Sequence, residues 1–305
     1  MSIGVSSSVG APSTEGGAFT ARRKTSLATR GYRLVTGMLI HAVLVVFGVL
    51  FAFPFLWMVS TSVKPDAELF ALPPVWIPSH LVWSNYPDAL AFIPFFRYAL
   101  NTLYLAAFNV TGILLSCTLV AYGFARIRWP GRDALFAIMV ATMMIPTYVT
   151  LIPTFLIFKW LGWVGTYNPL TLPSLTGSAF YIFLIRQFYL TIPHELSEAA
   201  RIDGCGEFNI YRRIILPLSK PVLATVALFT FMGEWNSFLG PLIYLSDRAT
   251  FPLGLGMYGY YSAHDGVQWA WLMSACTTMA MPMLLLFFVA QKTFIQGITL
   301  TGLKG

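Results

Sequence analysis

The run Glu198–Pro221, EAARIDGCGEFNIYRRIILPLSKP, decides how this chain is read, because it is a charged segment inside an otherwise apolar protein. Following Pro193, Glu195 and Glu198 place acids in a first helical turn, where they suit the positive end of the helix dipole, and Ala199 and Ala200 favour helix. Asp203-Gly204 then permits a sharp reversal, since glycine takes positive φ without a Cβ penalty. Beyond it Phe208, Tyr211, Ile214 and Ile215 recur at helical spacing with Arg212 and Arg213 between them. The pattern predicts a short helix, a turn, and a second amphipathic helix lying at a membrane face. Pro217 and Pro221 end that helix and restart the chain. Such a segment sits in water, either as a solvated interfacial link or as a docking element.

The surrounding composition says which interface this is. Hydrophobic residues make up 57% of the 305 and charged residues 10%, against roughly one quarter charged in a soluble domain. Mean hydropathy is +0.69. The chain reads as an all-α, polytopic integral membrane protein with six transmembrane helices, at roughly 35–59, 98–121, 134–158, 167–190, 221–245 and 269–291, each able to cross a hydrocarbon core of about 30 Å. The fourth run is diluted by Pro169, Pro173, Ser174, Thr176, Gly177 and Ser178. Short links leave almost no room for a soluble domain.

Lysine and arginine placement sets the expected orientation. Arg22, Arg23, Lys24, Arg30 and Arg33 precede the first span, Arg126, Arg128 and Arg132 follow the second, and Arg201, Arg212, Arg213 and Lys220 follow the fourth. These belong inside, so both termini and the Glu198 segment are expected in the cytoplasm. The +7 net charge is thus an insertion signal, and no clustered basic face with interleaved aromatics points to nucleic acid. Residues 1–33 are expected to be a disordered basic tail, the first twenty lacking the apolar core of a signal peptide. Residues 34–305 are expected to form a six-helix transmembrane domain, with the cytoplasmic loop at 193–220. Cys117, Cys205 and Cys276 are scattered, as are the four histidines, so no metal site is expected.

The spacing of Glu198, Ala199, Ala200, Asp203, Gly204, Phe208, Ile214, Leu216, Pro217 and Pro221 resembles the EAA loop of permease subunits of binding-protein-dependent ABC importers. Cys205 stands where that family usually has alanine. The likeness runs from about residue 52 to the C-terminus through FPFLWM at 53–58, GFAR at 123–126, MMIP at 143–146, LIP at 151–153 and WNSFLGPLI at 235–243, and is closest to the MalG-like carbohydrate permeases. Two parts depart from it: the ending TLTGLKG at 299–305, and the tail before about Leu34, which has no counterpart.

The resemblance implies the type I ABC importer (MetI-like) permease fold in a bacterial or archaeal cytoplasmic membrane. It makes Glu198, Ala199, Ala200, Asp203, Gly204, Phe208, Leu216 and Pro217 the coupling residues, seated in a cleft of a cytoplasmic ABC ATPase dimer. Ala199 and Ala200 would allow close approach, and Glu198 would offer a carboxylate to a basic group. Further implied partners are a second, MalF-like permease subunit and an extracytoplasmic sugar-binding protein. The chain has no Walker A pattern, so it is expected to be non-enzymatic and to bind no cofactor, with ATP and Mg held by the partner ATPase.

Glu234 is the acid placed inside a span, which makes it a candidate by chemistry alone. Glu234, Trp235, Asn236, Ser237 and Phe238 are expected to line the substrate pathway, Trp235 as an aromatic platform and its neighbours as hydrogen-bonding groups. The alternative for Glu234 is a structural position near a helix end or against a partner subunit. Gly254, Gly256 and Gly259 are expected to form a flexible turn, and Trp76, Trp83 and Tyr86 an interfacial belt. The transported solute is expected to be a mono-, di- or oligosaccharide. Glycerol-3-phosphate on the same fold is one alternative, and a self-contained polytopic carrier is another.

Overall fold

The computed structural model of the protein describes residues 27–261 and 266–302, so most of the expected tail lies outside the described residues. Among the described residues every regular element is helical. The chain divides into two compact units, Met1–Pro54 and Phe55–Gly305. In the first, helix α1 (Leu27–Ser62) begins, and its large apolar side chains from Met38 to Phe51 are exposed, as a lipid-facing stretch requires.

Three helices are long and apolar enough to span a membrane unbroken: Thr36–Ser62 of α1, α3 (Phe95–Ala125), and Trp269–Gln291 of α14 (Trp269–Gly302). The short α2 (Asn85–Phe92) precedes α3. Three further spans are bent pairs, which brings the number of crossings to six when each pair counts once.

The bends and breaks divide three of the six expected runs. The run at 134–158 is two helices, α4 (Arg132–Thr142) and α5 (Thr147–Trp160), at 97°. Pro146 supplies no N–H and disfavours helix in the residue before it. Met143, Met144 and Ile145 accordingly close as three-residue turns. The run at 167–190 opens with α6 (Asn168–Thr171), a 3-10 turn over Leu172–Thr176, and Gly177 at φ +86°, before α7 (Ala179–Thr191) starts. The run at 221–245 stops early: α11 (Lys220–Trp235) ends at Trp235, and α12 (Leu239–Tyr244) follows after a break. Between α7 and α11 lie α8 (Glu195–Ile202), α9 (Glu207–Ile210), a π turn over Tyr211–Ile215, and α10 (Leu216–Leu218). Both limbs of this loop leave the axes of their neighbouring helices, by 75° and 77°.

Helix α3 is the hub. Its C-terminal half packs with α7, α11 and the loop through Ile113, Cys117, Ala121, Tyr122, Ile185, Tyr189, Ile210, Ile215 and Val226. Its first turns meet α2, α14 and α13 (Leu253–Gly256) through Ala89, Tyr98, Leu253, Tyr260, Leu272 and Ala275. Lipid supplies no hydrophobic drive between helices, so close packing and interhelical hydrogen bonds decide the arrangement. The Asn109 amide donates to Leu170 O at 2.8 Å, Leu253 N–H to Thr102 Oγ1 at 2.7 Å, and the Trp235 indole to Met279 O at 3.0 Å.

Gly254 and Gly256 do not form a flexible turn; they sit in or beside tight packing. A Cβ at Gly254 would lie 2.5 Å from Ser237 O, and one at Gly256 would enter the Tyr98 ring. Close approach, not freedom, is what those two positions demand.

Candidate functional site: the loop between α7 and α11

The expected helix, turn and helix are present, and the turn closes by the expected chemistry. Gly204 has φ +82°. Its N–H donates to Arg201 O at 3.0 Å while Cys205 N–H donates to Ala200 O at 2.9 Å, the paired bonds that close a helix over a left-handed residue. Cys205 packs against the buried cluster of α3 and α7, which explains why a small apolar residue suits the position. The π turn Tyr211–Ile215 stands just before Pro217, where the regular ladder lacks a donor.

Glu198, Ala199, Asp203, Gly204, Phe208 and Pro217 are exposed, so six of the eight predicted coupling residues share the solvent side. Ala200 and Leu216 do not. Ala200 is buried and Leu216 half-buried, both against the cluster under the loop, which leaves Ala199 as the outward member of the alanine pair. Ile202, which the sequence reading passed over, is 87% exposed, and Phe208 is 65% exposed. Two large apolar groups left exposed on the loop that carries Glu198 are costly for an isolated surface and ordinary for a docking one.

Polar bonds from three residues, Arg126, Tyr122 and Thr118, fasten this surface to α3. Arg126, buried at the end of α3, donates to Ile192 O at 2.6 Å and sits 3.2 Å from His194 Nδ1, fixing the entry into α8. The Tyr122 hydroxyl donates to Glu207 Oε2 at 2.6 Å, and Arg201 Nε donates to Glu207 Oε1 at 2.7 Å. Thr118 and Tyr211 hydroxyls meet at 2.8 Å. The Arg201 guanidinium holds the Glu207 carboxyl below the usual carboxylate range. Both limbs of the loop are therefore fastened to α3.

The second predicted group separates. Glu234, in the last turn of α11, lines a cavity of about 340 Å³ together with Asn109, Ser174, Ser178, Tyr181 and Thr230. Trp235 points the other way: it is 4% exposed, stacked on Phe231, and tied to α14 through Met279. It is a packing residue and not an aromatic platform. The Asn236 amide bonds back to Met232 O at 2.8 Å, Ser237 N–H donates to Glu234 O, and Phe238 sits against Tyr258. Of these five residues Glu234 alone lines that cavity.

Residues 112–300 match the family described as binding-protein-dependent transport system inner membrane component. The chain belongs to that family. The matched stretch of this transport component holds the loop, its joints to α3, and Glu234. Relatives agree over nearly the whole chain. The arabinooligosaccharides transport system permease protein AraQ of Bacillus subtilis (strain 168) is 31% identical, covering 84% of this chain and 92% of its own. The diacetylchitobiose uptake system permease protein NgcG of Streptomyces coelicolor is 30% identical, covering 83% and 84%. The sn-glycerol-3-phosphate transport system permease protein UgpE of Pectobacterium atrosepticum is 32% identical, covering 85% and 94%. One chain of the crystal structure of a bacterial ABC transporter involved in the import of the acidic polysaccharide alginate superposes with a TM-score of 0.77 at 23% identity, over 88% of this chain and 98% of that one. The transport component thus has the ABC importer permease fold, and it is a multi-pass membrane permease subunit.

Proposed function

We propose that this permease subunit forms half of the translocation pathway of an ATP-driven sugar importer. Its Glu198 loop docks on a separate cytoplasmic ABC ATPase dimer that holds ATP and Mg. A second, MalF-like permease subunit completes the pathway, and an extracytoplasmic binding protein delivers a mono-, di- or oligosaccharide. The observation that carries this reading is the exposure of Ile202 and Phe208 on the loop that also carries Glu198, a loop fastened to α3 through Tyr122, Glu207 and Arg126. A cleft that takes up the apolar pair and pushes on the loop moves α3, and α3 packs on α7 and α11. Both termini lie in the cytoplasm, following the arginine bias, and Glu234 faces the pathway.

The sugar assignment draws on relatives whose names specify arabinooligosaccharides and diacetylchitobiose. The sn-glycerol-3-phosphate relative, equally similar, supports the second reading, the same machine with a phosphorylated solute.

Co-purification from membranes tests the assembly. Wild type is expected to bring down an ATPase and a second permease, with ATP hydrolysis stimulated by the binding protein. Glu198→Arg and Gly204→Pro are expected to lose the ATPase or its stimulation. A wild-type chain that purifies alone and transports without nucleotide would identify a self-contained carrier instead.

A further inference from the structure

The importer reading leaves open where this subunit touches its solute and what charge that solute carries. We infer that the cavity between α3, the segment 170–181 and α11 is a subsite for an uncharged, hydroxyl-rich sugar unit, built around Asn109 and Glu234. This inference rests on the sugar-importer reading and refines it.

The first observation is an orphaned acceptor. Asn109 is 3% exposed, and its Oδ1 has no hydrogen-bond partner among the described residues, while its Nδ2 donates to Leu170 O and approaches the Glu234 carboxyl. A buried amide oxygen without a donor costs about 1–3 kcal/mol. Such a group is retained where something supplies the donor. Asn109 lines the cavity, with that oxygen set behind its wall.

The second observation is the inventory around that oxygen. Ser178 and Tyr181 line the cavity, and their hydroxyls make no hydrogen bond with the described residues. The Ser174 and Thr230 hydroxyls donate to backbone carbonyls and keep lone pairs to offer. The walls therefore present a carboxyl and four hydroxyls, with the buried Asn109 oxygen behind them, which is what pairs of sugar hydroxyls bind. No lysine or arginine lines it. A phosphate or uronate entering here would meet a carboxyl and find no counter-charge.

Geometry fits the role. Glu234 lies about 21 Å along α11 from Lys220, and Asn109 about 21 Å along α3 from Phe95, so the antiparallel helices bring both to intramembrane depth. A volume of about 340 Å³ is at the low end of ligand sites, about 300–1,000 Å³, and suits one sugar unit of a chain passing through. Nor does helix stability account for Glu234, since a carboxylate in the last turn faces the negative end of the dipole.

Gly233 gives a clean test, because a Cβ there meets nothing within 4 Å. Gly233→Phe fills the cavity from an unstrained helical position. Cells expressing the whole importer would be assayed with labelled arabinotriose, diacetylchitobiose and sn-glycerol-3-phosphate. Assembly of the complex and its binding-protein-stimulated ATP hydrolysis would be followed in parallel. The expected result is uptake of a neutral sugar and not of the phosphate. Gly233→Phe should abolish uptake while assembly and stimulation persist, and Glu234→Gln should raise KM roughly tenfold with little change in kcat. Unchanged sugar uptake by both variants would make the cavity a water pocket and overturn the subsite. Uptake of the phosphate alone would overturn its neutral character. Wild-type cells that take up none of the three would overturn the sugar-importer reading and the subsite with it.

Discussion

The Tyr122 hydroxyl and the Glu207 carboxylate, 85 residues apart in sequence, meet at 2.6 Å, so the last turns of α3 grip the start of α9. Glu207 spends its other oxygen on Arg201 at 2.7 Å, and one carboxylate thereby joins both limbs of the loop to a membrane-spanning helix. Glu207→Gln keeps the shape and loses the charge. The Arg201 and Glu207 side chains are about two-fifths exposed, at 41% and 43%, so the pair contributes no more than about 1 kcal/mol to stability. Thermal unfolding should shift little, whereas binding-protein-stimulated ATP hydrolysis should fall severalfold relative to the basal rate. Equal loss of both activities would make Glu207 a folding residue only.

The same carboxylate sets a pH dependence. Its value in the folded chain is depressed by the Arg201 hydrogen bond. The contribution of the joint is therefore complete above the unfolded value of about 4.3 and is lost as pH falls through the folded value. Stimulated hydrolysis in wild type should stay flat from neutrality down to about pH 5 as far as this joint is concerned, and Glu207→Gln should be insensitive to further acidification of that joint. A loss centred well above pH 5 that disappears in Glu207→Gln would contradict the assignment.

Gly204 tests the turn. Its φ of +82° costs a residue with a Cβ about 1–2 kcal/mol, although a Cβ there would meet nothing within 4 Å. Gly204→Ala should therefore weaken the loop by backbone strain alone and lower the yield of ATPase co-purified with the subunit. Gly204→Asn, which tolerates that conformation better, should recover much of it. Equal behaviour of the two would remove the φ argument.

Hydropathy found the six apolar runs because composition along 20 or so residues is what a bilayer selects. It could not see the 97° break before Pro146, across which apolar residues continue, or the end of α11 at Trp235, where Glu234, Asn236 and Ser237 interrupt the run too briefly to lower its average. The turn at Gly204 was legible because it is local chemistry. Tyr122 and Arg126 were not legible as joints, because their partners Glu207 and Ile192 lie far along the chain. Ile202 had a local signal that went unused, an isoleucine ending a polar helix that lies outside the membrane. Asn109 carries no local signal of a role; only the packed helices show that its oxygen is orphaned.

Arg126 tests the entry to the loop. It is buried, with one nitrogen on Ile192 O at 2.6 Å and another 3.2 Å from His194. A lysine keeps the charge but lacks the planar fork that reaches both. Arg126→Lys should cost about 1–3 kcal/mol through a buried carbonyl or amine left poorly paired, read as a lower melting temperature of the purified complex. A variant as stable as wild type would show that the fork is dispensable.

Trp235 separates packing from pathway. Its indole N–H reaches Met279 O at 3.0 Å and its ring stacks on Phe231 with centroids 5.7 Å apart, in the buried cluster shared with α14. Trp235→Phe keeps an aromatic ring in the stack and removes one interhelical hydrogen bond, which within a membrane is worth about 0.6 kcal/mol on average and up to about 1.7. The complex should lose a little heat tolerance while sugar KM and kcat stay as in wild type, in contrast to Glu234→Gln one residue earlier. That contrast is the informative reading, since the two side chains leave the same helical turn toward α14 and toward the Asn109 cavity respectively. A Trp235→Phe variant with altered KM and unchanged heat tolerance would return this tryptophan to the solute path.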